Sequence, residues 1–344
     1  MEKKRTLRWL IPLILLLLLI PLIVPSSLPS AGAEESVPEY QPVELSNPDP
    51  GPVPTEAVEW TKKVTRDRVL YAPHADAYVT GENGKPFAYQ DGTIYVKIEE
   101  RVIDGTRVMF TWVQIADPSQ LRAQFTQPYP SESSKYGTDL AKRERAVVAL
   151  NGDYCTGIKA GLVYRNGTEY RRVEPGKYDQ LIVDIWGNFH ILRGPKLSDL
   201  AAYEGSILHS FIFGPALVID GAVVDIGTEA DYVPNMTFRK KTQRQVICQM
   251  DTLSYLIIST EGPEQSRNGG LTLYDMAQLA YNCGAQQAYN LDGGSSTWLV
   301  LGNERISNSN GRQLRPITDI IYFVTAEPDP ASSAEAGVAS EAAP

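Results

Sequence analysis

The amino-acid sequence predicts an α+β fold: a mixed, largely antiparallel β-sheet with hairpins and a few packed helices. Turn dipeptides containing Gly recur between short β-branched and aromatic runs, the signature of antiparallel hairpins. Helical periodicity is confined to two short segments. The composition is that of a packed protein, 43% hydrophobic and 21% charged over 344 residues.

The ends lie outside that fold. Lys3, Lys4, Arg5 and Arg8 precede a run of 16 apolar residues, 9–24, and Ala31-Gly32-Ala33 reads as a cleavage site. Residues 1–33 are therefore expected to be a signal peptide or a membrane anchor. The only expected membrane contact is this segment, and the protein is expected outside the cytoplasm, secreted or anchored at the cell surface. Residues 34–59 form a Pro-rich linker containing Pro38, Pro42, Pro48, Pro50, Pro52 and Pro54. Residues 325–344 are rich in Ala, Ser, Glu and Pro and are expected to be a disordered tail. One folded domain, residues 60–324, remains, with a β-rich extension at 60–129 and a core at 130–324.

Within it, residues 93–101 and 107–116 flank Asp104-Gly105, and 161–165 and 168–172 flank Asn166-Gly167. Residues 180–186 and 189–192 flank Gly187-Asn188, and 216–219 and 222–225 flank Asp220-Gly221. Each pair predicts a hairpin, because primed turns need positive φ and Gly or Asn supplies it cheaply. A further hairpin is expected between 245–250 and 254–260. One helix is expected over 138–145. A clearer one follows Thr272, where Asp275 completes a near capping box and Leu273, Met276, Ala277 and Ala280 share a face. Gly284 closes it, and a short strand over 287–291 follows.

Net charge is −9, from 41 acidic against 32 basic side chains, which argues against a nucleic-acid partner. Three His (His74, His190, His209) and three Cys (Cys155, Cys248, Cys283) show no metal spacing. The histidines read as structural, and the thiols as buried or as one disulfide with one free. HExxH, CxxC, GxxxxGK[ST] and GxGxxG are all absent. Chemistry must then come from carboxylates, Arg, amides and glycines.

Four segments qualify. Asn290-Leu291-Asp292-Gly293-Gly294-Ser295-Ser296-Thr297 carries a strand into a carboxylate and two glycines, whose N–H groups suit an anion. The plainer reading is a turn in which Asp292 bonds its own loop. Asn151-Gly152-Asp153-Tyr154 likewise follows the apolar run 146–150, and an Asn-Gly turn is its plainer reading. Arg244 precedes an apolar strand, and Glu261-Gly262 ends one. Together they place three carboxylates, an arginine and two Gly-rich loops at strand ends.

At these residues the chain resembles the phosphodiester glycosidase family, whose bacterial members include exopolysaccharide biosynthesis proteins. The resemblance runs over about residues 130–324. It rests on residues 149–154, 161–167 and 213–218, on Arg244 ahead of Gln249, on residues 270–273 and 288–297, and on Arg315 with Thr318-Asp319. Departures are visible. Asp292-Gly293-Gly294-Ser295 stands where the family commonly has three glycines after the acid. Thr260-Glu261-Gly262-Pro263 keeps an acid but lacks the usual arginine, for which Arg267 is the candidate replacement. Thr242-Gln243-Arg244-Gln245 replaces Asn-Pro-Arg-Thr.

The resemblance implies cleavage of a sugar-1-phosphodiester of N-acetylglucosamine type at its glycosidic bond, in a cell-surface glycan or phosphoglycan. Asp292, then Glu261, then Asp153 are the expected catalytic carboxylates. Asn151, Arg244, Arg267, Gly293, Gly294, Ser295 and Arg315 are the expected substrate contacts. No cofactor is required, although clustered carboxylates are also a Ca²⁺ or Mg²⁺ donor set. Two alternatives stand beside hydrolysis: a carbohydrate- or wall-binding domain without turnover, and a transglycosidase in exopolysaccharide assembly.

Overall fold

The computed structural model describes residues 70–328 apart from 229–231, 233–236, 263–268 and 308–313. The signal or anchor segment, the Pro-rich linker, most of the tail and Arg267 lie outside the described residues.

In chain order the strands and helices begin with β1 (Tyr78–Thr80), β2 (Pro86–Gln90), β3 (Ile94–Ile103), β4 (Thr106–Ile115), β5 (Leu121–Phe125), α1 (Gly137–Arg143) and β6 (Val148–Asn151). There follow β7 (Leu162–Arg165), β8 (Thr168–Arg172), β9 (Gln180–Asp184), β10 (Phe189–Leu192), α2 (Leu197–Leu200), β11 (Ile207–Phe211), β12 (Ala216–Ile219) and β13 (Ala222–Val223). The chain closes with β14 (Gln245–Asp251), β15 (Ser254–Thr260), α3 (Leu273–Asn282), β16 (Gln287–Asn290), β17 (Leu299–Leu301), β18 (Glu304–Arg305) and β19 (Asp319–Phe323). All five expected hairpins form. In the β12–β13 pair the second arm is only Ala222–Val223, because the residues after it leave the ladder.

Every named strand pairing is antiparallel. A nine-stranded sheet runs β1-β2-β3-β4-β15-β14-β16-β12-β13, and a five-stranded sheet runs β18-β17-β6-β19-β5. Three-stranded and two-stranded sheets, β10-β9-β11 and β7-β8, complete the strands. The two larger sheets face each other across a core in which Val148, Leu150, Leu299 and Phe323 meet Ile247, Tyr255, Ile257 and Tyr289. On the outer face of the larger sheet, α3 lays Leu273, Met276, Ala277 and Ala280 over Val246, Cys248, Leu256 and Ile258. On the outer face of the smaller, α1 lays Leu140 and Ala141 over Ala149, Val300, Ile320 and Tyr322. This explains why β6 and β15 read as unbroken apolar runs rather than alternating ones. Both are central strands with cover on both faces.

The segment expected as an N-terminal extension supplies β1–β4 to the nine-stranded sheet, and β4 pairs β15 along seven residue pairs. It is therefore part of the main sheet and shares its core. Packing also continues past Val324. Thr325 is fully buried and its carbonyl accepts from the Tyr71 amide at 3.1 Å.

The α3 cap forms as the sequence implies. Thr272 Oγ1 accepts from the Asp275 amide at 3.1 Å, and Asp275 Oδ2 accepts from the Thr272 amide at 2.9 Å. Since α3 covers one face of the large sheet, the cap acts on global stability. Thr272→Ala is expected to lower unfolding free energy by about 1 kcal/mol in equilibrium denaturation. An unchanged midpoint would show that packing alone holds the helix.

Candidate active site

Strand direction brings the sequence-predicted loops to one edge. In the small sheet, Asn151 at the end of β6 pairs Ile320 near the start of β19, and Leu150 pairs Leu299 at the start of β17. In the large sheet, Asn290 at the end of β16 pairs Val246 near the start of β14, beside the end of β15. The chain leaving β6 and β16, and that entering β14, β17 and β19, therefore meet at this edge. Asn151 joins the two sheets. Its Nδ2 donates to the Asp292 carbonyl at 2.7 Å, while its Oδ1 accepts from the Trp298 amide at 3.1 Å.

The two glycines after Asp292 have separate reasons. A Cβ on Gly293 would lie 2.8 Å from the Gln243 carbonyl oxygen, which is backbone and cannot yield. Gly294 has open space but takes φ +61°, where a side chain is strained. The tight turn points the Asp292 carboxylate back on the loop. Its Oδ1 accepts from the Gly293 amide at 2.9 Å, and its Oδ2 pairs with Arg315 at 2.6 Å. Arg315 also donates to the Ser296 hydroxyl, and its guanidinium lies 5.3 Å from the Tyr154 ring centre. Burial raises the Asp292 pKa, and Arg315, Ser296 and the Gly293 amide oppose that rise.

Asp292 and Arg315 line a pocket with Asn151, Gly152, Tyr154 and the Pro316–Asp319 segment. Its free space is about 20 Å³, room for roughly one water molecule. Tyr154 forms one wall with φ +58°, an outlying conformation for a bulky residue, and its ring lies where a Cβ on Gly157 would be.

Behind the pocket is a charge cluster that sequence reading singled out only in part. Arg165, fully buried, donates to Asp153 Oδ1 at 2.8 Å and to Asp319 Oδ2 at 3.2 Å. Its guanidinium stacks between Phe125 and Phe211, 5.3 and 4.5 Å from the ring centres. Asp319 also accepts from the Asp153 and Tyr154 amides at 3.2 and 3.3 Å. Gly152 is obligatory here, because a Cβ would fall 1.8 Å from the Asp319 carboxylate. Asp153 Oδ2 accepts from the Ile212 amide at 2.6 Å. Asp153 is thus buried and committed to this cluster rather than lining the pocket. Asp153, Cys155 and Asp319 are near enough to share a cation. The site does not fit Ca²⁺ or Mg²⁺, which want six or more oxygens, and Arg165 already supplies the positive charge.

The remaining sequence-predicted residues are dispersed around the edge. Arg244 immediately precedes β14 beside the Asp292 loop, but its guanidinium turns to the carbonyls of Leu271, Thr237 and Lys240 at 3.2, 2.5 and 2.8 Å. It is not among the residues lining the pocket. The Gly294 amide donates to the Gln243 carbonyl at 2.9 Å, so neither glycine amide is directed at a ligand. Ser295 is exposed, and its carbonyl accepts from the Arg315 amide at 2.9 Å. Glu261 is buried in an ion pair with Arg107 at 2.7 Å, again away from the pocket lining. The three cysteines are buried free thiols, and His209 is buried and neutral, its pKa lowered to about 3 mainly by burial. Its Nε2 donates to the Leu121 carbonyl at 2.9 Å and its Nδ1 accepts from Asn166 at 3.1 Å.

Fold and site together define an antiparallel α+β protein with a carboxylate–arginine pair at a Gly-rich strand end. The chain belongs to the phosphodiester glycosidase family, whose model matches residues 144–324. It is 28% identical over 217 residues to the SPbeta prophage-derived uncharacterized protein YomE of Bacillus subtilis (strain 168), covering 57% of this chain. The matched part spans about a third of that relative, 32% of its length. The catalytic domain of zebrafish N-acetylglucosamine-1-phosphodiester alpha-N-acetylglucosaminidase, auto-inhibited by its pro-peptide, has the same fold. It superposes with a TM-score of 0.55 at 17% identity, over 72% of this chain and 86% of that one.

The cluster gives stability a pH dependence. Burial, followed by the neighbouring Asp153 charge, pushes Asp319 up to about 7 against the pull of Arg165. Between its ordinary value of about 4 and that value, the folded protein holds a proton that the unfolded chain has released. The stability linked to this group is therefore fully present below about pH 4 and is lost as pH rises through about 7. Wild-type melting temperature should fall between pH 5 and pH 8, and Asp319→Asn should flatten that fall. Parallel profiles would place the buried proton elsewhere.

Proposed function

We propose that this protein hydrolyses the glycosidic bond of a sugar-1-phosphodiester, with N-acetylglucosamine-type phosphodiesters as the first substrates to test. One observation carries the reading: Asp292 and Arg315 form an ion pair, open to solvent on the arginine side, in the lining of a pocket in a phosphodiester glycosidase domain. In the reaction the bond between the anomeric carbon and the phosphate oxygen breaks. The hydroxyl of a water adds to the carbon, its proton passes to solvent, and a phosphate monoester leaves. Such a leaving group needs little protonation, so the demands are a negative charge facing the cationic sugar and a positive charge facing the departing phosphate.

Asp292 meets the first demand and Arg315 the second. Arg315 is the accessible partner, with 44% of its side chain exposed against 14% for Asp292. A phosphate oxygen competes with Asp292 for the guanidinium, so substrate binding opens the pair and frees the carboxylate toward the sugar. Asn151 and the Gly293 turn hold Asp292 in place. The N-terminal segment supports an exported protein acting on a surface glycan or phosphoglycan.

The competing reading is a glycan-binding domain without turnover, and the small free volume of the pocket favours it. Incubation with an N-acetylglucosamine-1-phosphodiester separates the two. Release of free sugar, reduced at least 100-fold in Asp292→Asn, is the expected result. Saturable binding without release would leave the binding domain. Transfer of the sugar to an added glycan acceptor would mark a transglycosidase.

The pH profile tests the assignment of roles. Asp292 must be ionised, so kcat/KM should fall on the acid side as pH drops through its raised pKa. Arg315 lowers that pKa, so Arg315→Ala should move the acid limb to higher pH as well as weakening substrate binding. An acid limb unmoved by Arg315→Ala would remove Arg315 from contact with the catalytic carboxylate.

A further inference from the structure

A second surface adjoins the pocket through a shared wall. Ile317 and Thr318 line the pocket on one side. On the other they are laddered to the chain that forms a groove: the Thr126 amide donates to Thr318 at 2.8 Å, and Lys135 and Ile317 exchange backbone bonds at 3.0 and 2.8 Å. The groove has a free volume of about 620 Å³, against about 20 Å³ for the pocket. That is within the range of small-molecule and sugar sites.

Its lining is built around three rings. Phe125, Tyr129 and Tyr170 pack mutually with centres 5.0 to 5.8 Å apart. Phe125 is buried and anchors the group, while Tyr170 remains 41% exposed. The Tyr129 hydroxyl accepts from Arg171 at 3.1 Å, which fixes that ring. Lys135 and the Gln127 side chain are exposed on the same lining. Arg143 is anchored there by the carbonyls of Thr126 and Phe125, both at 2.6 Å. A chain of net charge −9 thus turns two cations and one acid, Glu144, toward this groove. Glu144 is already paired to Arg143 at 2.6 Å.

We propose that this groove is a second binding site, one that holds a saccharide chain running on from the phosphate side of the scissile bond. The negative faces of aromatic rings attract the polarised C–H groups of a sugar ring, and neighbouring amides and cations meet its hydroxyls and phosphates. Tyr170 is the platform and Lys135 the charge contact. The naming of a substrate class rests on the glycosidase reading above, but glycan binding in the groove does not require turnover. Phe125, Tyr129 and Lys135 precede the family-matched residues, so this part of the groove is built by the chain ahead of that match.

The test uses the full chain with two probes, a phosphorylated mannan and the N-acetylglucosamine-1-phosphodiester of a simple alcohol. Wild type and Asp292→Asn should both bind the mannan. Tyr170→Ala should weaken that binding about three- to ten-fold, leaving the kinetics of the small phosphodiester unchanged. Lys135→Glu should weaken it further at low salt than at high salt. Mannan binding without cleavage of either probe supports the groove and removes the hydrolase reading. Cleavage of the small probe with mannan binding that is absent, or insensitive to both substitutions, overturns the groove and leaves the hydrolase reading intact.

Discussion

The buried guanidinium of Arg165 is the interaction on which the site depends. It comes from the end of β7 and bonds carboxylates from two other places, Asp153 just after β6 and Asp319 at the start of β19. Removing one partner from such a group leaves an uncompensated buried charge, at a cost of about 3–5 kcal/mol. The cluster therefore holds its three segments in one geometry, and two of them form the back of the pocket. It explains why Gly152 admits no Cβ and why Tyr154 is held at positive φ. The strain at Tyr154 is sustained by the bonds around it.

Electrostatics then divides the carboxylates by role. Asp153 and Asp319 share one buried arginine, and burial, followed by the negative charge of Asp153, outweighs the pull of Arg165, which is why Asp319 holds a proton so readily. Asp292 has its own arginine, at the surface rather than in the core. A surface guanidinium can exchange one anion for another, whereas a buried one cannot without unfolding its surroundings. Of Asp153, Asp319 and Asp292, only Asp292 combines an exchangeable partner with a place in the pocket lining.

Much of the fold was legible from local signals. The hairpins followed from Gly and Asn at turn positions, and the α3 cap from Thr272 and Asp275. The convergence of the Asn151 and Asp292 loops followed from both lying at the ends of apolar runs. The charge cluster was less visible. Arg165 sits in a hairpin arm between Tyr164 and Asn166-Gly167, where a charged residue normally faces water. Asp153 was singled out as a candidate carboxylate and Asp319 stood among the residues of the resemblance, but nothing tied either to Arg165, because a pairing across 154 positions leaves no periodic trace. The direction of Arg244 was equally hidden. The resemblance implied a substrate contact, but only the carbonyls of Thr237, Lys240 and Leu271 decided where its guanidinium went.

By itself, the sequence determined five of the hairpins, the places of α1 and α3, and which loops carry carboxylates and glycines, while the short α2 and the pairings of β1 with β2 and β17 with β18 were not marked in it. These are short-range matters of φ, hydrogen-bond capping and apolar periodicity. Tertiary structure alone decided which arginine meets which acid, which of those pairs is sealed in the core and which faces solvent. That choice depends on strands far apart in the chain packing edge to edge. Burial and charge separation then set each group's chemistry only after the backbone has brought them together.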